Sequence, residues 1–90
     1  MTQQVSAPLS EALSAHGATF QTEARVARTA EYSGVFHLLS VDGTICDPPV
    51  VVIAPGKWRD ETNAHQSAHR HASTMASDGA LSALLQSLQR

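Results

Sequence analysis

The sequence predicts an α+β fold: a short N-terminal helix, an antiparallel three- to four-stranded meander, and a helical C-terminal third. Three observations carry this. Apolar residues take up a period of two from Phe20, as in a half-buried strand. The dipeptide Asp42-Gly43 separates two apolar runs, a strong short-range hairpin signal. Leu81, Leu84, Leu85 and Leu88 recur at i, i+3, i+4 and i+7, the spacing of one helical face.

In chain order, Ser6 can cap a first helix, Pro8 suits its first turn, and Leu9, Ala12 and Leu13 fall at helical spacing before Gly17 ends it. Next, Phe20, Ala24, Val26, Ala30 and Tyr32 share one parity while Gln21, Glu23, Arg25, Thr29 and Glu31 take the other. This predicts a strand over 20–32, with a helix as the competing reading because residues 23–28 are locally helix-prone. Ser33-Gly34 supplies a turn, and residues 35–41 form the next apolar run. A type I′ turn at Asp42-Gly43 would set Val41 opposite Thr44 and Leu39 opposite Cys46. Pro48 and Pro49 interrupt any ladder, because neither donates a backbone N–H. Residues 50–53 read as one more short, fully buried strand.

After Pro55-Gly56 the chain turns polar and small-sided. Asp60 or Thr62 can cap a helix through Ala64, Ala68, Ala72 and Met75. The leucine segment follows, with Asp78 near its start and Arg90 at its end, as the helix macrodipole prefers. On one continuous helix the alanine and leucine stripes would lie on opposite faces, so a break is expected at 77–79. The alanine stripe then permits close backbone approach, while the leucines supply bulk over one face of the sheet. An unbroken helix held between the sheet and a second subunit is the alternative.

Composition sets the bounds. The 90 residues make one domain, 1–90, with 1–5 flexible. Fourteen of the apolar residues are alanine, and Leu, Ile, Val and Phe together number 19, so the core is thin. Domains this marginal gain stability from oligomerisation or from a partner. A net charge of −2 gives no basic stripe for a phosphate backbone and argues against nucleic-acid binding. No apolar run nears the roughly 20 residues that span a bilayer, and residues 1–7 lack signal-peptide features. A cytoplasmic protein is expected. The lone Cys46 rules out an internal disulfide.

Among chemistry-bearing residues, His65 and His69 stand at i, i+4 with Glu61 one turn earlier. That set, with His71 if the segment is irregular or lies at an interface, is a candidate site for zinc or a similar divalent metal. Ligands strung along one helix cannot all converge, so the competing reading is histidines decorating a solvated face. Asp42-Gly43-Thr44 after an apolar run resembles the first motif of haloacid dehalogenase-type phosphatases. Ser40 occupies the position of that motif's nucleophilic aspartate, however, and 90 residues cannot build the doubly wound sheet that such phosphatases need. Cys46 with His37 on a neighbouring strand would place a thiol near a base, against the commoner case of a small core cysteine. Pro55-Gly56-Lys57 lacks the spaced glycines of a P-loop.

Trp58 between Lys57 and Arg59 reads as a contact hot spot or as a lid over the core with its indole N–H at the surface. With no catalytic constellation in view, the expected function is a non-catalytic protein-binding module. It would be an adaptor or stoichiometric inhibitor of another macromolecule, of the phage or mobile-element accessory type, and homodimeric. Its interface residues would be Lys57, Trp58, Arg59, Met75, Leu81, Leu84, Leu85 and Leu88, with no cofactor. The alternative is a metal-binding protein using Glu61, His65, His69 and His71.

Overall fold

A computed structural model describes residues 10–88. Four strands, β1 (Leu13–Ala15), β2 (Ala18–Arg28), β3 (Glu31–Val41) and β4 (Thr44–Ile53), precede two helices, α1 (Glu61–Ser77) and α2 (Ala80–Leu88). The strands form one antiparallel sheet in the order β1-β2-β3-β4. The α+β class and the meander are as the sequence predicts.

The N-terminal helix is not seen where the chain is described. Its first residues, Ser6, Pro8 and Leu9, lie outside the described segment, as do 1–5. Leu13 sits in β1, paired with Phe20. Gly17 does not end a helix but closes a hairpin with His16, at φ values of 85° and 51°. Asp42-Gly43 repeats that geometry at 49° and 85°, the two positive angles a type I′ turn requires. The two hairpin turns touch, and the Asp42 N–H donates to the Gly17 carbonyl at 2.8 Å.

Between them the β2–β3 turn falls at Thr29-Ala30, with Ala30 at φ 60°, not at Ser33-Gly34. Those two residues lie inside β3, paired with Arg25 and Ala24. Gly34 is needed for a different reason: a Cβ there would meet the Ala64 carbonyl oxygen at 2.2 Å and the Ala68 nitrogen at 3.0 Å. Helix α1 crosses the sheet at backbone contact.

Ala64, Ala68 and Ala72 are fully buried, so the alanine stripe, not the leucine stripe, roofs the sheet. Small side chains let the two backbones approach, and Phe20, Phe36 and Leu38 from the strands fill the space alongside. Phe20 and Phe36 meet edge to face, with ring centroids 6.0 Å apart. Each such large buried side chain contributes roughly 1.5–3 kcal/mol of transfer free energy, so a core this thin depends on every one of them. From α2, Leu81 is fully buried and Leu85 packs at the margin, while Leu88 is 57% exposed.

The expected helix break is present. Helix α1 begins at Asp60, whose carboxylate accepts the Asn63 N–H at 2.7 Å. It ends at Ser77, and Gly79 at φ 79° re-aims the chain into α2.

The Val41–Thr44 pair forms as predicted, but Leu39 does not face Cys46. Register shifts between Ser40–Ile45 and Leu38–Val50, so Cys46, Asp47, Pro48 and Pro49 bulge out of the ladder, as two residues without N–H donors in sequence require. Residues 50–53 are not fully buried. Val50 and Val52 face the helices, whereas Val51 is 47% and Ile53 60% exposed. Strand β4 is an edge strand, and the sheet face away from the helices carries no further layer among the described residues.

Candidate functional site

The sheet face away from the helices, on which Val35 and Ser33 are buried and Arg25, Val51 and Ile53 are exposed, is the candidate site. Strand alternation places Gln21, Glu23 and Arg25 of β2 on it, with Ser33, Val35 and His37 of β3 and Val51 and Ile53 of β4 beside them in register. Glu23 is its centre. The Arg25 guanidinium donates two hydrogen bonds to its carboxylate at 3.0 and 3.1 Å, and His37 Nε2 lies 2.7 Å from Oε1. Arg25 holds the Glu23 carboxyl below its ordinary value. Partial burial opposes this, and the His37 hydrogen bond adds to it. The carboxylate is thus ionised and fully engaged, a poor proton acceptor for catalysis but a fixed polar patch beside an apolar strip.

The shared parity of Gln21, Glu23 and Arg25 is legible in the sequence, but the site is not. His37 reaches Glu23 only because Gln21 pairs with His37, a register that no local pattern reports.

Cys46 and His37 do not form a pair. Cys46 belongs to the core on the helix side, His37 lies on the opposite face, and burial pushes the thiol pKa up, away from the reactive thiolate.

The three helical histidines are engaged separately. His65 Nδ1 shares a 2.8 Å hydrogen bond with the buried Thr22 hydroxyl. His69 lies over Phe20 at 5.6 Å between ring centroids, and His71 over Phe36 at 6.1 Å. Glu61 is exposed in the first turn of α1. Among the described residues no three His, Cys, Asp or Glu side chains are grouped to hold a metal.

Of the expected interface residues, Lys57 and Arg59 are exposed, whereas Met75, Leu84 and Leu85 are half-buried. Leu81 is closed inside the core and Leu88 is open to solvent. Leu85 and Leu88 form one wall of a cavity of about 420 Å³ against Cys46, Pro48 and Pro49 of the β4 bulge. Trp58 is half-buried, its backbone bridged to Tyr32 by hydrogen bonds of 2.7 and 2.9 Å. Its indole N–H is not at the surface as expected. It is buried and meets no acceptor among the described residues.

No protein-family model matches the chain, and no curated protein or solved structure matches it significantly. No helix of the described residues is long and apolar enough to cross a membrane.

Proposed function

We propose that this chain is a non-catalytic protein-binding domain, an adaptor or stoichiometric inhibitor of another macromolecule, working in the cytoplasm as a homodimer built across β4. One observation supports the reading: residues 50–53, Val-Val-Val-Ile, form a sheet edge with no neighbouring strand among the described residues and no charged side chain, and Val51 and Ile53 are exposed on the face away from the helices. Edge strands in monomers are blunted by charges, by prolines or by a covering element. Here the prolines guard only the first half of the strand, and the second half offers unpaired backbone and β-branched side chains that favour strand pairing.

A second copy is the occupant that fits. Antiparallel pairing of two such edges brings no like charges into register, joins the Val51 and Ile53 side chains across the seam, and extends four strands to eight. The segment from Lys57 to Arg59 lies outside that seam and remains available to the macromolecular partner.

Light scattering coupled to size exclusion tests this directly. The expected mass at micromolar concentration is twice the 9.6 kDa of one chain. Val51→Lys should halve it while leaving the far-ultraviolet circular dichroism unchanged. A wild-type monomer overturns the dimer.

A further inference from the structure

We propose that the cleft between the β4–α1 connection and the outer side of α1 binds a small aromatic anion, a single ring carrying a carboxylate or a phosphate. The cleft encloses about 270 Å³ and is lined by Pro55, Trp58, Ser67, Arg70, His71 and Thr74. That volume is below the roughly 300–1,000 Å³ typical of drug-sized ligand sites, which limits the occupant to about one substituted ring.

The lining divides by chemistry. Pro55 and the Trp58 indole make a flat apolar wall, and such a wall takes the face of an aromatic ring. This wall is preorganised, because the Trp58 main chain is clamped to Tyr32 by two hydrogen bonds. The facing groups rise from α1 at i, i+3, i+4 and i+7, a spacing that aligns them on one side of a helix. All of them can donate: the Arg70 guanidinium, the Ser67 and Thr74 hydroxyls and the His71 ring.

The charge is unbalanced. No carboxylate lines the cleft, and residues 62–77 of α1 contain neither Asp nor Glu. Among the described residues Arg70 has no ion-pair partner, whereas Arg25 is paired with Glu23. A cluster of donors with a guanidinium and no carboxylate, beside an aromatic wall, is complementary to an anion borne on a ring. A guanidinium fork takes carboxylate or phosphate oxygens two at a time.

Trp58 is the only tryptophan, so its fluorescence reports on the cleft, and isothermal calorimetry gives an independent reading. Phenyl phosphate and benzoate are the probes, and phenol and inorganic phosphate are the controls that lack the charge or the ring. The expected result is a saturable isotherm for at least one of the two aryl anions, the tighter of them fixing the anionic group. Each control should bind about tenfold or more weaker, and Arg70→Gln should cost about tenfold in affinity with no change in melting temperature, since Arg70 is exposed. Absence of a saturable calorimetric signal for both aryl anions overturns the proposal. So does phenol binding as tightly as the aryl anions, or an Arg70→Gln protein that binds as the wild type does.

Discussion

Gly34 and Ala64 meet backbone to backbone: a methyl group on Gly34 would stand 2.2 Å from the Ala64 carbonyl oxygen. This single contact sets the distance between sheet and helix, and the helix must be lined by Ala64, Ala68 and Ala72 for that distance to hold. A larger residue at position 34 has to displace a whole helix, because the atoms it meets are main chain. Gly34→Ala is therefore expected to destabilise the fold by about 2–3 kcal/mol, in the range of overpacked cores, read as a lowered denaturation midpoint. Gly43→Ala is a useful comparison, since a Cβ at Gly43 meets nothing within 4 Å and its cost comes only from the positive φ. Equal losses from the two variants would show that crowding at Gly34 is not what limits the approach.

The leucine repeat splits into inside and outside. Leu81 is fully buried and Leu88 is 57% exposed, although both belong to one stripe in sequence. Leu81→Ala should cost about 2–4 kcal/mol through lost transfer energy and the cavity left behind. Leu88→Ala should cost less than about 0.5 kcal/mol, as surface substitutions do. Urea unfolding of the two variants measures the gradient, and similar losses would mean that α2 docks more fully than its exposure indicates.

How much of this was legible beforehand follows from which forces are local. The Asp42-Gly43 turn and the alternation from Phe20 depend on φ preferences and on strand pleating, properties of a few adjacent residues, and both elements formed. His16-Gly17 makes the same turn with nearly the same φ pair, but histidine is a weaker signal than Asp or Asn before glycine, and a plausible helix cap upstream competed with it. Ser33-Gly34 looked like a turn because glycine in a strand usually marks one. Its cause lies 30 residues away at Ala64, and no window along the chain contains it. The two helical stripes are legible as stripes, because helical spacing is a local property. Which one meets the sheet was settled by how closely backbones can approach, where small residues outcompete large ones. The Glu23, Arg25 and His37 cluster needed the β2–β3 register, and the cleft at Trp58 needed the position of α1 relative to the connection before it.

Thr22 is only 2% exposed, and its hydroxyl is satisfied by His65 Nδ1 at 2.8 Å. Removing the two partners should not cost the same. His65→Ala strands a buried hydroxyl and should destabilise by about 1–3 kcal/mol, whereas Thr22→Val replaces the hydroxyl with a methyl and should cost about 1 kcal/mol or less. In the double variant the His65 change should add little to the Thr22 change, because the stranded group is already gone. Fully additive losses in thermal melts would mean that the hydrogen bond contributes nothing.

Acid should weaken the native state through Glu23. Its carboxyl is held below the ordinary value of 4.5, first by the hydrogen bonds from Arg25 and then by that from His37, against partial burial. A depressed native pKa means that the unfolded chain takes up the proton first as pH falls. The stabilisation is therefore complete above pH 4.5 and drains away below it, down to the native value. Arg25 is 45% exposed in its side chain, so solvent screening keeps the effect under about 1 kcal/mol. Glu23→Gln should run parallel to the wild type above that pH and decline less steeply beneath it. Arg25→Ala should flatten the same limb, because it removes the largest cause of the shift. Urea midpoints collected from neutral pH down through this window would show it, and a wild-type curve parallel to both variants throughout would place the acid sensitivity elsewhere in the chain.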